Sequence, residues 1–329
     1  MKIYDVTLRD GNHALRHGLE PKFVAQYCRE ADSSGIWAIE VGHGNGLGAS
    51  SHLVGRSVAS DEDLLAAARS ALTSAKLAVH CIPGFATIHR DLRPAISLGV
   101  EVFRVATHVT EASLAQTHIE FLATQGVMVQ GVLMMSHMAD TQTVIEQSRL
   151  MVEYGAEAIV MMDSAGHLIP QEVTERIQAT KETLGVEVGF HAHNNLGVAV
   201  ANAIAAHESE ASILDGAAMG LGAGAGNAQL EAIAAVLERS GDSTLNMRSL
   251  LNMSSLVEST YRPNLPITTA SGIESGMAGV FSGYAPQVNE LAVEYDLDTT
   301  TLWEALADRR LVAGQESMIR EIAEDLRNL

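Results

Sequence analysis

Eight short apolar runs, each leading into a stretch with helical periodicity, constrain this chain more than any other feature. The runs are KIYDVT (2–7), IWAIEVG (36–42), LAVHCI (77–82), EVFRVA (101–106), VMVQGVLM (127–134), AEAIVMM (156–162), VEVGFHA (186–192) and ILDGAAMG (213–220). A strand covered on both faces reads as a continuous apolar run rather than as an alternation. Between the runs lie segments such as EDLLAAARSAL, TVIEQSRLMVEYG and PQEVTERIQATKETLG. The last two end in Gly155 and Gly185, which suit helix C-terminal caps. Successive strand–helix units in this number predict a (β/α)8 TIM barrel. A doubly wound open sheet is the competing architecture. It usually has fewer strands and often carries a glycine-rich phosphate turn after its first strand. Here the first run is followed by Arg-Asp-Gly-Asn-His instead.

After residue 245 the alternation stops. MRSLLNMSSLVESTY, a proline-containing turn at 263–266, APQVNELAVEYDL, TTLWEALADRRL and SMIREIAEDLRNL read as helices without strands. The expected organisation is a barrel over 1–245 and a C-terminal helical appendage over 246–329.

Composition narrows the function. With 329 residues, 47% of them hydrophobic, the chain can bury a sizeable core. No apolar run approaches the ~18 residues that span a bilayer, and the first residues enter strand-like sequence at once, so a cytoplasmic location is expected. A formal net charge of −19 disfavours nucleic acid and anionic membrane as partners. Cys28 and Cys81 are the two cysteines, too few for a disulfide framework or a thiolate zinc cluster. Any metal must use His, Asp and Glu.

In such barrels chemistry sits at the C-terminal ends of the strands. Those ends carry Arg9, Asp10 and His13; Glu40, His43 and Asn45; His80; Arg104, Thr107 and His108; Ser136 and His137; Asp163 and Ser164; and His191, His193, Asn194 and Asn195. Buried polar groups on this scale need a reason, since each must be compensated. The strongest element is His191-Ala192-His193. Residues i and i+2 of a strand share a face, so both imidazoles project into the barrel mouth. They either satisfy one another through ordinary hydrogen bonds or ligate a metal with Asp10 as a third ligand. Two imidazoles and a carboxylate suit Mn²⁺, Co²⁺, Zn²⁺ or Mg²⁺ alike. Arg9 either neutralises a rim carboxylate or holds a substrate carboxylate or enolate oxygen. His13 is either a solvated loop histidine or a general acid/base. The glycine run GLGAGAGNA (220–228) lacks the context of a dinucleotide fingerprint and fits close backbone approach near the site.

TLRDG after the first run and HAHNN in the seventh together resemble the metal-dependent barrel lyases and synthases that include HMG-CoA lyase, isopropylmalate synthase and the carboxyltransferase domain of pyruvate carboxylase. DVTLRDGNHALRH, RVATHVTEA, LMMSHM, MDSAGH, GAGAGNA and VAGQESMI resemble more narrowly the 4-hydroxy-2-oxovalerate aldolases, pyruvate-specific class II aldolases of aromatic and steroid catabolism. The resemblance runs over nearly the whole chain. It implies that Asp10, His191 and His193 bind a divalent metal, typically Mn²⁺. The metal would hold the 2-keto acid through its carboxylate and keto oxygens, with His191 beside it. Arg9 would stabilise the pyruvate enolate, His13 would exchange a proton with the 4-hydroxyl, and Ser164 would help seat the carboxylate. It further implies an acylating acetaldehyde dehydrogenase as partner, engaged partly through the C-terminal helices in a heterotetramer.

The chain departs from that pattern in places. GMAGVFSGY (276–284) carries Met277 and Phe281 where the family has tyrosines, leaving Tyr284 as the candidate substitute for substrate positioning. Asn12 replaces a serine, Asn45 an aspartate, and HNN follows Ala192 where HHN is frequent. HCIPG (80–84) is more polar than the leucine-rich version that lines the family's acceptor-aldehyde pocket. The expectation is retained enolate chemistry with an altered acceptor aldehyde. Two alternatives stand beside it: an acyl-CoA-dependent Claisen lyase or synthase of the same superfamily, and a non-catalytic subunit that binds a partner.

Overall fold

A computed structural model describes residues 1–311, 315 and 317–327. Eight parallel strands close into a barrel in the order β1 to β8: β1 (Lys2–Asp5), β2 (Ala38–Glu40), β3 (Lys76–Cys81), β4 (Val102–His108), β5 (Met128–Met134), β6 (Ala158–Asp163), β7 (Glu187–Ala192) and β8 (Ile213–Gly216). Closure is made by β1 on β8, with Tyr4 opposite Asp215 and Asp5 opposite Gly216. Each strand lies within or overlaps one of the eight apolar runs, and the predicted barrel is the observed one. The helix Pro170–Leu184 ends as its sequence predicts, with Gly185 in the left-handed region at φ 66°.

Alternation along the strands sorts the core into layers. Tyr4, Ala38, Ala78, Val102, Ala106, Val132, Ala158, Val160, Met162 and Ile213 fill the barrel interior. Ile3, Ile39, Leu77, Val79, Phe103, Val129, Ile159 and Val188 face outward and pack in a second, larger core with the surrounding helices. The inward positions therefore also include Glu40, His80, Arg104, Gln130 and Asp215, each two residues from an inward apolar neighbour, and His191, which alternates with the outward Phe190 and Ala192. All six are buried. Charged and imidazole side chains from β2, β3, β4, β7 and β8 thus share the barrel interior with the apolar fill.

Beyond the barrel, the helix Met247–Tyr261 lays Leu250, Met253 and Val257 on the barrel's outer core. The helices Ala285–Tyr295, Thr299–Asp308 and Ser317–Arg327 enclose a separate apolar cluster around Trp303, Val288 and Ile319. One further helix, Ala270–Ala278, was not expected from sequence, because Gly272 and Gly276 obscure its periodicity. Of the stretch VAGQESMI, residues 312–314 and 316 lie outside the described residues, as do the final two residues of the last predicted helix. Among the described residues no helix is long and apolar enough to cross a membrane.

Candidate active site

The turn after β1 brings Arg9 and Asp10 over the barrel mouth, where the backbone N–H of Asp10 donates to Val6 O at 2.8 Å. Across the β1–β8 seam, β7 presents His191 and, just past its end, His193. One ligand atom each from Asp10, His191 and His193 fall within 4.8 Å of one another, and all three residues are buried. The two Nε2 atoms are 3.4 Å apart. His191 Nδ1 lies 2.9 Å from Asp215 Oδ2, a contact that places the proton on Nδ1 and leaves Nε2 with its lone pair toward His193. Burial pushes His193 down to about 4 against the pull of Asp10, so it is a neutral imidazole near pH 7. Burial alone would raise the Asp10 carboxyl. The Arg9 guanidinium and the imidazole of His193 outweigh it and hold Asp10 well below the usual carboxylate range. Two imidazoles and an ionised carboxylate converging on one point form a donor set that fits a divalent cation.

Asp10 is aimed by the glycine-rich loop. Asn227 Nδ2 donates to Asp10 Oδ2 at 2.8 Å, and Ala223 N donates to the same oxygen at 3.2 Å. A Cβ on Gly222 would stand 2.7 Å from that oxygen and 2.2 Å from Asn227 Nδ2. The loop can approach the carboxylate because position 222 has no side chain.

Arg9 is fixed from two sides. Its Nε donates to Glu40 Oε1, its Nη1 to Asp10 Oδ1 at 2.7 Å and to Gly44 O at 3.3 Å. Nη2 is buried and has no hydrogen-bond partner among the described residues. The network continues inward: Arg104 donates to Glu40 Oε2 at 2.9 Å and to Asp215 Oδ2 at 2.8 Å. A chain of alternating charges thus links Arg9, Glu40, Arg104, Asp215 and His191 through the barrel interior. Such buried pairs contribute geometry more than stability, because desolvation offsets much of their attraction. Burial opposes the charge on Glu40, yet Arg9 and Arg104 hold its carboxyl well below the ordinary range.

His13 stands on the short helix Gly11–Ala14 beside the metal triangle. A Cβ on Gly44 would meet its ring at 2.6 Å, so glycine at 44 makes room for the imidazole. Burial lowers its pKa below 6.5, despite the Asp10 carboxylate. Ser164, at the end of β6, accepts a hydrogen bond from Met135 N at 3.0 Å, which leaves its hydroxyl proton free for another acceptor.

Arg9, Asp10, His13, Ser164 and His193 line one cleft, together with His80, Thr107, His108 and Phe281. His191 lies directly beneath, against His193. Tyr284 does not join them: it is 2% exposed, packed in the apolar cluster of the C-terminal helices, with its ring 5.7 Å from that of Phe281. Phe281 reaches the cleft, and Tyr284 stands behind it. Asp215 and Asn227 escaped the sequence reading. Asp215 sits inside a run that reads as apolar, and Asn227 in a loop that reads as glycine spacing. Inward parity on the eighth strand was the available signal for Asp215.

Residues 1–257 match the HMGL-like family, and residues 266–328 match the DmpG-like communication domain. A 4-hydroxy-2-oxovalerate aldolase of Spirochaeta aurantia is 47% identical over 327 residues, 99% of this chain and 96% of that protein. One from Pectobacterium atrosepticum is 48% identical over 325 residues, covering 98% and 95%. The carboxyl transferase domain of Rhizobium etli pyruvate carboxylase superposes with a TM-score of 0.83 at 17% identity, over 100% of this chain and 60% of that one, and shares the fold. Matched along almost its full length by relatives close to half identical, and by the lyase-type barrel family over its strands, this chain belongs to the 4-hydroxy-2-oxovalerate aldolase family of metal-dependent carbon–carbon lyases.

Proposed function

We propose that this chain cleaves a 4-hydroxy-2-oxo acid of the 4-hydroxy-2-oxovalerate type, reversibly, into pyruvate and an aldehyde. The observation that carries the reading is the juxtaposition of the Asp10–His191–His193 triangle with the unpartnered, buried Nη2 of Arg9 in one cleft. Retro-aldol cleavage needs a sink for electrons at the ketone and a base at the carbinol. A divalent ion held by Asp10, His191 and His193, Mn²⁺ in this proposal, supplies Lewis-acid polarisation when bound. Arg9 directs its free N–H at the oxygen where negative charge develops, and Glu40 and Asp10 fix its plane beforehand. Ser164 donates its hydroxyl proton to the substrate carboxylate. His13, neutral at pH 7, takes the proton of the 4-hydroxyl during cleavage and returns it during condensation.

The division of labour proposed here gives catalysis to residues 1–245 and partner contact to 246–329, the latter held to the barrel through Met247–Tyr261. The match to a communication domain supports an acylating aldehyde dehydrogenase as that partner. Co-elution of the two proteins in size-exclusion chromatography tests this, and separate elution at micromolar concentration would refute it. Catalysis is tested by release of pyruvate from 4-hydroxy-2-oxovalerate with metal supplied. An obligate requirement for an acyl-CoA would favour a Claisen reaction instead.

A further inference from the structure

The wall of the cleft opposite the metal triangle carries polar atoms that the proposed reaction does not use. In a closed barrel of eight strands β3 lies four positions from β7, and β4 four from β8. His80 on β3 and Thr107 and His108 at the end of β4 line the cleft from that side. His80 Nδ1, Thr107 Oγ1 and His108 Nε2 are buried, and none has a hydrogen-bond partner among the described residues. Burial at such positions is unfavourable unless the atoms are met by water or ligand.

Their hydrogen-bonding character can be read in part. His108 Nδ1 is engaged by Thr110, 2.8 Å from its Oγ1 and 3.3 Å from its N, which leaves Nε2 as the ring nitrogen available to a ligand. Thr107 Oγ1 can donate or accept. His80 follows the inward alternation Ala78, His80, Ile82, so its ring faces the barrel axis rather than the helices. Burial, with the Arg9 charge behind it, pushes His80 down to about 3, so it stays neutral and serves as a hydrogen-bonding group rather than a cation. Ile82, Pro83, Leu114 and Phe281 surround these atoms with apolar surface. The result is a small, mostly apolar recess with a few convergent polar atoms, the form of a site that orients one short ligand segment.

The placement proposed above, with the keto acid at Arg9 and the metal triangle and His13 at the carbinol, leaves the β3–β4 side of the same cleft for the substituent on C4. We propose that His80, with Thr107 and His108, selects a C4 substituent bearing a hydroxyl, so that the aldehyde released and accepted is a short hydroxyaldehyde rather than a simple alkyl aldehyde. This rests on the aldolase reading above and names its substrate class. The step balances without any redox partner. The C3–C4 bond breaks, its electron pair stays on C3, and the 4-hydroxyl proton passes to His13. C4 becomes the aldehyde carbonyl, C3 takes one proton from water while His13 releases the one it gained to solvent, and one pyruvate and one hydroxyaldehyde result.

The test compares cleavage of 4,5-dihydroxy-2-oxopentanoate and 4-hydroxy-2-oxohexanoate, which differ by a hydroxyl in place of a methyl. Pyruvate release is followed with lactate dehydrogenase and NADH. The wild-type ratio of kcat/KM should favour the dihydroxy acid by about 10-fold or more, because a site built to hydrogen-bond a hydroxyl rejects the analogue lacking it. His80→Leu should lower that ratio by about 10-fold, and His80→Asn should retain most of it. Thr107→Val, nearly isosteric, should lower it as well and stands in if His80→Leu does not fold. A wild-type preference for the hexanoate, or a ratio unmoved by both variants, overturns the inference. Exchange of the pyruvate methyl protons in D₂O separates the two levels. Exchange without a preference for the hydroxyl removes this inference alone. Absence of both exchange and cleavage removes the aldolase reading and this inference with it.

Discussion

On the β1–β7–β8 wall of the cleft, charge is paired before any substrate arrives. Arg9 is held by Glu40 and Asp10, Asp10 by Asn227 and Ala223, and His191 by Asp215, which Arg104 holds in turn. The β3–β4 wall is organised the other way, with His80, Thr107 and His108 each presenting an unpaired buried atom. The first wall has its charged groups fixed by protein, and the atoms it leaves without a partner among the described residues, the Nη2 of Arg9, His193 Nδ1, Asp215 Oδ1 and Asn227 Oδ1, belong to side chains already held at another atom or in the Asp10–His191–His193 triangle. The second leaves its choice of partner to the ligand. A fixed wall suits a step common to every substrate, and an unsatisfied wall suits discrimination between substrates.

The contrast can be broken most forcefully at Asp10. Asp10→Ala removes a proposed metal ligand and uncouples Arg9. Cleavage should fall by about 10⁴-fold or more, and bound metal measured by elemental analysis should drop with it. Retained metal and activity would show that the triangle is not the site. His13→Ala should lower kcat/KM for cleavage by about 10²–10⁴-fold while metal content stays unchanged. Burial lowers the His13 pKa from its ordinary value of 6.5. The acid limb of the pH profile of cleavage at saturating metal should therefore be centred below that value. An acid limb centred above 6.5 would remove His13 from the role.

Smaller effects sharpen the picture of a prearranged wall. Arg9→Ala should lower turnover by about 10²–10³-fold, the scale of one donor at a developing oxyanion. Asp215→Asn touches no substrate, yet it loosens the tautomer and orientation of His191. Metal affinity by calorimetry should weaken by about 10–100-fold, and turnover should recover at high metal concentration. Failure to recover would mean that Asp215 serves the barrel fold instead. Gly222→Ala should give the mildest effect of the set, weakening metal binding several-fold through the clash with Asn227 and Asp10. An unchanged affinity would show that the loop yields without disturbing the ligand.

The sequence made some of this legible and concealed the rest, for physical reasons. Buried parallel strands must be apolar throughout, so the eight runs stood out, and the closed barrel follows from them. The pairing of His191 with His193 was readable because a strand's two-residue repeat is local. Arg9, Asp10, His13 and Ser164 come to one cleft with His193, and His191 lies against His193. What linked these residues was not readable. Asp215 meets His191 through the β7–β8 pairing, and Arg104 meets Asp215 across the barrel, contacts fixed by closure and register rather than by spacing in the chain. Tyr284 shows the same limit from the other side. It is near Phe281 in sequence, but the turn between them sends Phe281 to the cleft and Tyr284 into the helical core. The polarity of HCIPG was visible from the start. That His80 faces inward with an unpaired nitrogen required the barrel.

The central claim is that the fixed wall generates a pyruvate enolate without help from the aldehyde side. Deuterium exchange into the methyl group of pyruvate, followed by NMR in D₂O with Mn²⁺ and no aldehyde, measures that step alone. The expected result is metal-dependent exchange that is abolished in Asp10→Ala and strongly reduced in Arg9→Ala. Absence of exchange by the metal-loaded wild-type protein would contradict the claim.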